Sequence, residues 1–471
     1  MAYYVLAKGF ALRGWKMLPF GLRYPNPRLT DFFDQENYKV VYAMDGQHDV
    51  IEENLTEKQK AMLKRLLELK IALPVDGPSH LLPYQEYHSY PAMYKNSAHW
   101  SITGQCNYKC RHCFMSAPDY TGDHQSMEQI RHILDELETC GIRSLSLTGG
   151  EPLIHPHFTE ILDEIVQRDI QLETIYSNGA LVNEKLMDEL EKRKIRTTFH
   201  MSFDGVGWHD WLRGMDGAEE AVVRAFKLAK ERGYSTSSSM CLHKHNISTL
   251  RETIRFLADL GLYHLKMNVA SPTGRWKNET EHFITSDEAY QAILDYLPQY
   301  IEDGMPLSVQ FGILIDFNKE GKCVVIPAAK YSGEDSAPRG LACGAVRNSI
   351  YISPKGMVLP CMTLGGTAIE SKFDNMLEKP LSDILSDSYY RDMSLLKMGA
   401  CIDYNEKCRD CQYRLTCGAG CRACACGETG TDYLGVDEEI CKFFKSGWYE
   451  KAQEAVEKYK DVFAEEPKQG E

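Results

Sequence analysis

Three cysteines carry the most distinctive chemistry of this chain. Cys106, Cys110 and Cys113 lie in the run CNYKCRHCF, at C-x3-C-x2-C spacing. Three thiolates on one short loop can hold three irons of a 4Fe–4S cubane, whose usual complement is four cysteines. The fourth iron is then open to a small chelating ligand, which turns an electron carrier into a catalyst. A structural zinc loop with a distant fourth ligand also uses C-x2-C spacing, but it has no need of the motifs that follow.

About 35 residues on comes Thr148-Gly-Gly-Glu-Pro152. Gly149 and Gly150 let backbone approach a ligand closely, and Glu151 can accept from an ammonium group. Placed after CNYKCRHCF, this run resembles the GGEP motif of the radical S-adenosylmethionine (SAM) family. The resemblance implies that the open iron binds the amino and carboxylate groups of SAM, which is then cleaved to a 5′-deoxyadenosyl radical. It makes Glu151 a contact of the SAM amino group and places His112 beside adenine. Ser177-Asn178-Gly179 resembles the family's ribose-binding turn, although an ordinary strand-to-helix turn has the same composition. Ser202-Phe-Asp204-Gly205, followed by His209, Asp210 and Arg213, resembles the S-x-D-G…HD-x-x-RG run of the peptide-modifying members. There Arg213 would pair bidentately with the SAM carboxylate; a structural ion pair is the alternative. Asp204 reads equally as a substrate contact or a base. Val269–Arg275 resembles the sixth-strand loop near adenine.

A second constellation lies further on: Cys343-x12-Gly356-x4-Cys361, then Cys408-x2-Cys411-x5-Cys417-x3-Cys421, then Cys441. It resembles the SPASM domain, an iron–sulfur extension of radical SAM enzymes acting on peptides and proteins. The resemblance implies three 4Fe–4S clusters. One binds SAM. Cys408, Cys411, Cys417 and Cys441 would hold one auxiliary cluster, and Cys343, Cys361 and Cys421 the other. The last set is one ligand short, open to a substrate thiolate or to Cys323, Cys401, Cys424 or Cys426. Cys140 and Cys241 read as packed thiols.

These motifs need elements to position them. Strand patterns fall at Ser97–Thr103, Arg143–Thr148, Gln171–Tyr176, Thr197–Ser202, Ser235–Met240 and His264–Val269, with helical patterns such as Met127–Thr139 and Asn246–Leu260 between them. Such alternation predicts an α/β parallel sheet with outer helices. Six units are too few for a closed eight-stranded barrel and agree with the open six-stranded (β/α)6 partial TIM barrel that the resemblance implies. Ligands in such folds bind at the C-terminal ends of the strands, where each motif falls. The expected division is 1–92, a winged-helix-like module; 97–305, the partial barrel; 306–340, a bridging region; 341–445, a loop-rich domain whose cysteines replace much of a core; and 446–471, a final helix with a polar tail from Ala464. In the first module, Val40–Tyr42 reads as a strand, Met44–Gly46 as a turn, Thr56 as a helix start, Ile71–Leu73 as following that helix, and Pro83–Pro91 as a linker. Residues 1–90, through ALRGW…PFGL, Asp45-Gly46 and LTEKQ, resemble the leader-peptide recognition element fused to enzymes that mature ribosomally made peptides. Such modules bind a leader as an added strand.

The 471 residues exceed what one core supports, and the net charge of −14 argues against general nucleic-acid binding. Residues 1–95 are nearly neutral, so the acidity lies in the remainder. There is no apolar run long enough to span a bilayer and no signal-peptide pattern. A cytoplasmic protein is expected, so sixteen cysteines, seven of them between Cys401 and Cys426, indicate metal ligation rather than disulfides. The combined expectation is a radical SAM/SPASM enzyme that binds a precursor peptide through its leader and draws electrons from flavodoxin or ferredoxin. It would install a thioether or carbon–carbon cross-link, with thioether formation leading because one cluster is left open. Epimerisation, sulfatase-type protein oxidation and tetrapyrrole modification are the alternatives.

Overall fold

The computed structural model describes residues 2–113, 122, 124–270, 274–331, 335–427 and 429–464. The polar tail beyond Ala464, and 271–273 of the Val269–Arg275 run, lie outside these residues.

The N-terminal module contains β1 (Tyr3–Leu6), β2 (Ala11–Lys16), β3 (Leu18–Arg23), β4 (Thr30–Phe32), α1 (Gln35–Tyr42), α2 (Glu57–Glu68), β5 (Ala72–Val75) and β6 (His88–Met93). Strands β4-β3-β2-β6 form one sheet, and β1 pairs with β5. Thr56 caps α2 in a reciprocal box with Gln59, as its position predicts. Two expectations fail here. Val40–Tyr42 is the end of α1, not a strand: Asp34 caps the helix, and Tyr38, Val40 and Val41 are buried against Leu63 and Leu66 of α2. Pro83–Pro91 is not a linker but a helical turn followed by β6. Arg13 donates to the carbonyls of Tyr84 and Glu86, and Gln85 to those of Leu6, Ala7 and Phe10. Pro91 is tolerated because β6 is an edge strand.

The six expected parallel strands are all present: β7 (Ser97–Ser101), β8 (Ser144–Thr148), β9 (Gln171–Ser177), β10 (Thr198–Ser202), β11 (Ser235–Leu242) and β12 (His264–Val269). Each lies beside its sequence neighbour. Helices α3 (Met127–Thr139), α4 (Phe158–Gln167), α5 (Glu184–Lys192), α6 (His209–Arg213), α7 (Ala218–Glu231), α8 (Leu250–Asp259) and α9 (Ser286–Glu302) complete the units. Among the described residues the sheet has eleven strands, more than expected. The bridging region adds β13 (Ser308–Phe311), parallel to β12, and then antiparallel β14 (Ile315–Asn318) and β15 (Cys323–Val325). At the other edge β16 (Ser349–Ile352) pairs in parallel with β7 and antiparallel with β17 (Val358–Leu359). The cysteine-rich region is therefore joined to the barrel by a backbone ladder. It also shares the barrel's apolar core, more than cysteines alone would supply: Leu381, Ile384, Tyr390 and Met393 are buried in the same cluster as the barrel interior.

The N-terminal module packs at the N-terminal ends of the barrel strands. Trp15 donates its indole N–H to the carbonyl of Cys140, which ends α3 just before β8. Arg28 pairs at 3.1 Å with Glu173, near the start of β9. Among the described residues no helix is long and apolar enough to cross a membrane.

Candidate functional site: a cysteine loop and two cysteine clusters

The loop bearing Cys106, Cys110 and Cys113 leaves the C-terminal end of β7, and the ends of β8, β9 and β10 surround it. Its three thiols lie within electrostatic reach of one another; burial, above all, pushes Cys106 up to about 12. Ligation by iron would displace that proton. The glycines of the GGEP run do something the sequence did not disclose: they approach this loop, rather than only a ligand. Gly150 N–H donates to Thr103 O and Glu151 N–H to Gln105 O, both at 2.9 Å. A Cβ on Gly150 would lie 2.1 Å from Gln105 O, and one on Gly149 2.4 Å from Thr103 O.

Glu151 is fully buried and already accepts from Leu153 N–H (3.1 Å), Ser177 Oγ (2.9 Å) and Asn178 N–H (2.7 Å). Burial raises its pKa to about 7, and these three donors limit the rise. The expected ribose-binding turn therefore also orients the carboxylate, which keeps acceptor capacity for one further donor. Asn178 Nδ2 donates to Asn107 Oδ1 at 2.8 Å and so ties β9 to the cysteine loop.

Asp204 and Arg213 are both buried and paired, Nε to Oδ2 at 2.7 Å. Burial alone would raise the Asp204 pKa, but the Arg213 guanidinium and the His209 ring hold it well below the usual carboxylate range. Arg213 directs Nη1 at Cys110 Sγ, 3.8 Å away. The structural ion pair thus exists, and it presents the rest of the guanidinium to the cluster loop. Oδ1 of Asp204 accepts from Cys241 N–H at 2.9 Å, so Asp204 is engaged on both oxygens. Cys241, read from sequence as a packed thiol, belongs to the site: its Sγ lies within 4.8 Å of ligand atoms of His112 and Asp204. Cys140, in contrast, is packed as expected. His112 Nδ1 is buried without a hydrogen-bond partner among the described residues. Ser202 ends β10 in register with Ser239 of β11.

Three soft thiolates on one loop, an orphaned ring nitrogen, a carboxylate with one acceptor position left and a guanidinium beside the loop fit a SAM-binding cluster.

In the C-terminal region Cys408, Cys411, Cys417 and Cys441 line one recess with Val436 and Phe444. Cys343, Cys361 and Cys421 form a second group within electrostatic reach. Lys330, half-buried between the groups, donates to Ala342 O (2.8 Å) and Gly420 O (2.5 Å). Arg422 of the GAGCRA run is buried and gathers the carbonyls of Ala419, Gly420, Tyr433 and Gly435. Its role is to fold the cysteine loop, a function invisible in the spacing.

Comparison with known proteins agrees. The Radical SAM superfamily profile matches residues 100–257, and that of an iron–sulfur cluster-binding domain, SPASM, matches 343–412. The antilisterial bacteriocin subtilosin biosynthesis protein AlbA of Bacillus subtilis (strain 168) is 26% identical over 292 residues, which is 60% of each chain. An AdoMet-dependent heme synthase of Methanosarcina barkeri (strain Fusaro / DSM 804) is 26% identical over 356 residues, 73% of this chain and 95% of that one. The fold is shared with Streptococcus suis SuiB solved with its precursor peptide SuiA: TM-score 0.64, 19% identity, 94% of this chain and all of that one. The first profile match contains the cysteine loop, and the second contains Cys343, Cys361, Cys408 and Cys411 of the second constellation: the chain is a radical SAM enzyme of the SPASM branch, using SAM and iron–sulfur clusters.

Proposed function

We propose that this enzyme matures a ribosomally made precursor peptide, closing a thioether or carbon–carbon cross-link within it. The carrying observation is the convergence of the Cys106–Cys113 loop, Glu151 and the Asp204–Arg213 pair at one end of a barrel to which the SPASM region is joined strand to strand. The similarity to a bacteriocin biosynthesis protein and the fold shared with a precursor-bound enzyme support a peptide substrate.

In this reading Cys106, Cys110 and Cys113 hold the SAM-binding cluster, whose chemistry when loaded is reductive cleavage of SAM to a 5′-deoxyadenosyl radical that abstracts a substrate hydrogen. Glu151, steadied by Ser177, Asn178 and Leu153, takes the SAM ammonium on its remaining acceptor position. Arg213, neutralised on one side by Asp204, offers Nη1 to the SAM carboxylate. Asp204 is then a positioning residue rather than a base, because Arg213 and Cys241 N–H occupy its oxygens. Cys408, Cys411, Cys417 and Cys441 hold one auxiliary cluster; Cys343, Cys361 and Cys421 contribute to the other. Residues 1–92 hold the leader, and a low-potential flavodoxin or ferredoxin supplies electrons.

The test is anaerobic incubation of reconstituted enzyme, SAM and dithionite with small peptides encoded beside its gene, read by mass spectrometry. A cross-link appears as the loss of two hydrogens; epimerisation leaves the mass unchanged in water and incorporates solvent deuterium. No product from any such peptide, with turnover of an iron porphyrin instead, would favour the second reading, tetrapyrrole modification. That reading rests on the heme synthase similarity, which leaves 27% of this chain unmatched. Iron analysis should return about twelve per chain, and about four fewer when Cys106, Cys110 and Cys113 are replaced by Ala.

A further inference from the structure

The second auxiliary group has three assigned cysteines where a saturated cubane takes four. Four other thiols come into question, and the structure separates them. Cys323 is exposed on β15, paired with Asn318 at the far edge of the sheet. Cys401 is fully buried and packed with Ala342 and Ala419. Cys426 is buried in the main apolar cluster. Cys424 approaches the group most fully of the four: its thiol interacts with that of Cys421 and lies within electrostatic reach of Cys361, whereas Cys426, turned into the apolar cluster, reaches Cys421 but not Cys361.

The local backbone accounts for this. Gly418, Ala419 and Gly420 are all left-handed, with φ of 59°, 63° and 78°, so the chain reverses sharply between Cys417 and Cys421. The helical turn Arg422–Cys426 follows directly. Three residues apart across that turn, Cys421 and Cys424 lie on one face, while Cys426 points into the core. Cys421-Arg-Ala-Cys424 also repeats the C-x2-C spacing of Cys110/Cys113 and Cys408/Cys411. Cys421 and Cys424 are both exposed residues, in contrast to the buried Cys401 and Cys426.

We propose that Cys424 is the fourth protein ligand of the cluster held by Cys343, Cys361 and Cys421. Each iron of both auxiliary clusters then has a protein thiolate. No iron position is left for a substrate thiol, which removes the reason for placing a thioether ahead of a carbon–carbon link. The proposal rests on the reading that two auxiliary clusters are present.

The experiment uses the full chain with Cys106→Ala, Cys110→Ala and Cys113→Ala, so that only auxiliary clusters remain. After reduction it is exposed to 13C-labelled cyanide, a small ligand for an open iron, and examined for 13C hyperfine coupling. Iron is counted in the same samples. With about eight irons, the expected result is no coupling in this background, coupling once Cys424→Ala is added, and none with Cys401→Ala or Cys426→Ala. If Cys424→Ala instead sheds one cluster and keeps the other, while Cys424→Ser retains both with shifted g-values, ligation is equally supported. Coupling before Cys424 is changed, or none after it with iron intact, overturns the proposal. About four irons in the background would overturn the two-cluster reading beneath it.

Discussion

Replacing Gly150 by Ala should disable the SAM site without touching any ligand. The added Cβ would lie 2.1 Å from Gln105 O, 2.5 Å from Gln105 C and 2.8 Å from Gly104 O. All three are backbone atoms, so no side chain can rotate away. Reaching ordinary contact at 3.4 Å moves the loop by about 1.3 Å, an overpacking cost on the order of 1–3 kcal/mol. The displaced residue immediately precedes Cys106, and the Gly150–Thr103 and Glu151–Gln105 bonds lie in the way of the shift. A displacement of this size at reacting groups costs roughly 100-fold in rate. The assay is 5′-deoxyadenosine formation by the reconstituted enzyme, with iron per chain measured alongside. Gly77→Ala is the control, because nothing lies within 4 Å of its Cβ position. Iron content and SAM cleavage equal to the parent in Gly150→Ala would refute the view that these glycines serve loop approach.

The Asp204–Arg213 pair makes a second test. Arg213→Ala should cost about 3–5 kcal/mol of stability by leaving a buried carboxylate unpaired; adding Asp204→Asn should restore most of it in denaturant melts but not SAM cleavage, and recovery of both would show a purely structural pair. His200, in the barrel interior, bonds Ser237 Oγ at 2.8 Å and Ser239 Oγ at 2.6 Å, and burial pushes its pKa down to about 4. Its contribution is therefore complete above the unfolded value near 6.5 and is lost as pH falls toward 4, by up to about 3 kcal/mol. His200→Gln should flatten the fall in urea midpoint over that window, and an unchanged slope would refute the assignment. The N-terminal module sits at the opposite end of the strands from the cysteine loop, and β9 spans seven residues. A precursor held there needs a spacer of at least about seven extended residues to reach the site. Shortening the spacer should abolish modification while leader binding by residues 1–92 survives, and modification insensitive to spacer length would place recognition elsewhere.

The sequence alone determined the parts whose chemistry dictates spacing. An iron site needs its thiolates a few residues apart, so Cys106, Cys110 and Cys113 were legible as candidate ligands, as were Cys408, Cys411 and Cys417. The six barrel strands were legible because half-buried and buried strands alternate with amphipathic helices, as in Ser97–Ser101 and Met127–Thr139. Tertiary structure decided what depends on distant neighbours. Val40–Tyr42 is β-branched and apolar enough for a strand, but a cap at Asp34 and packing on α2 make it helical. Pro91 suggested a linker until an open sheet edge accepted β6. Glu151 looked like a free acceptor; Ser177 and Asn178, 26 and 27 residues away, supply two of its donors. Cys241 joins the site through Asp204, 37 residues earlier. Cys424 is one spare thiol among several in sequence, and only the left-handed turn before Cys421 aims it at the group containing Cys361. Spacing records which atoms one loop can offer; which oxygens, sulfurs and ring nitrogens are already engaged is fixed by long-range contacts that leave no local pattern.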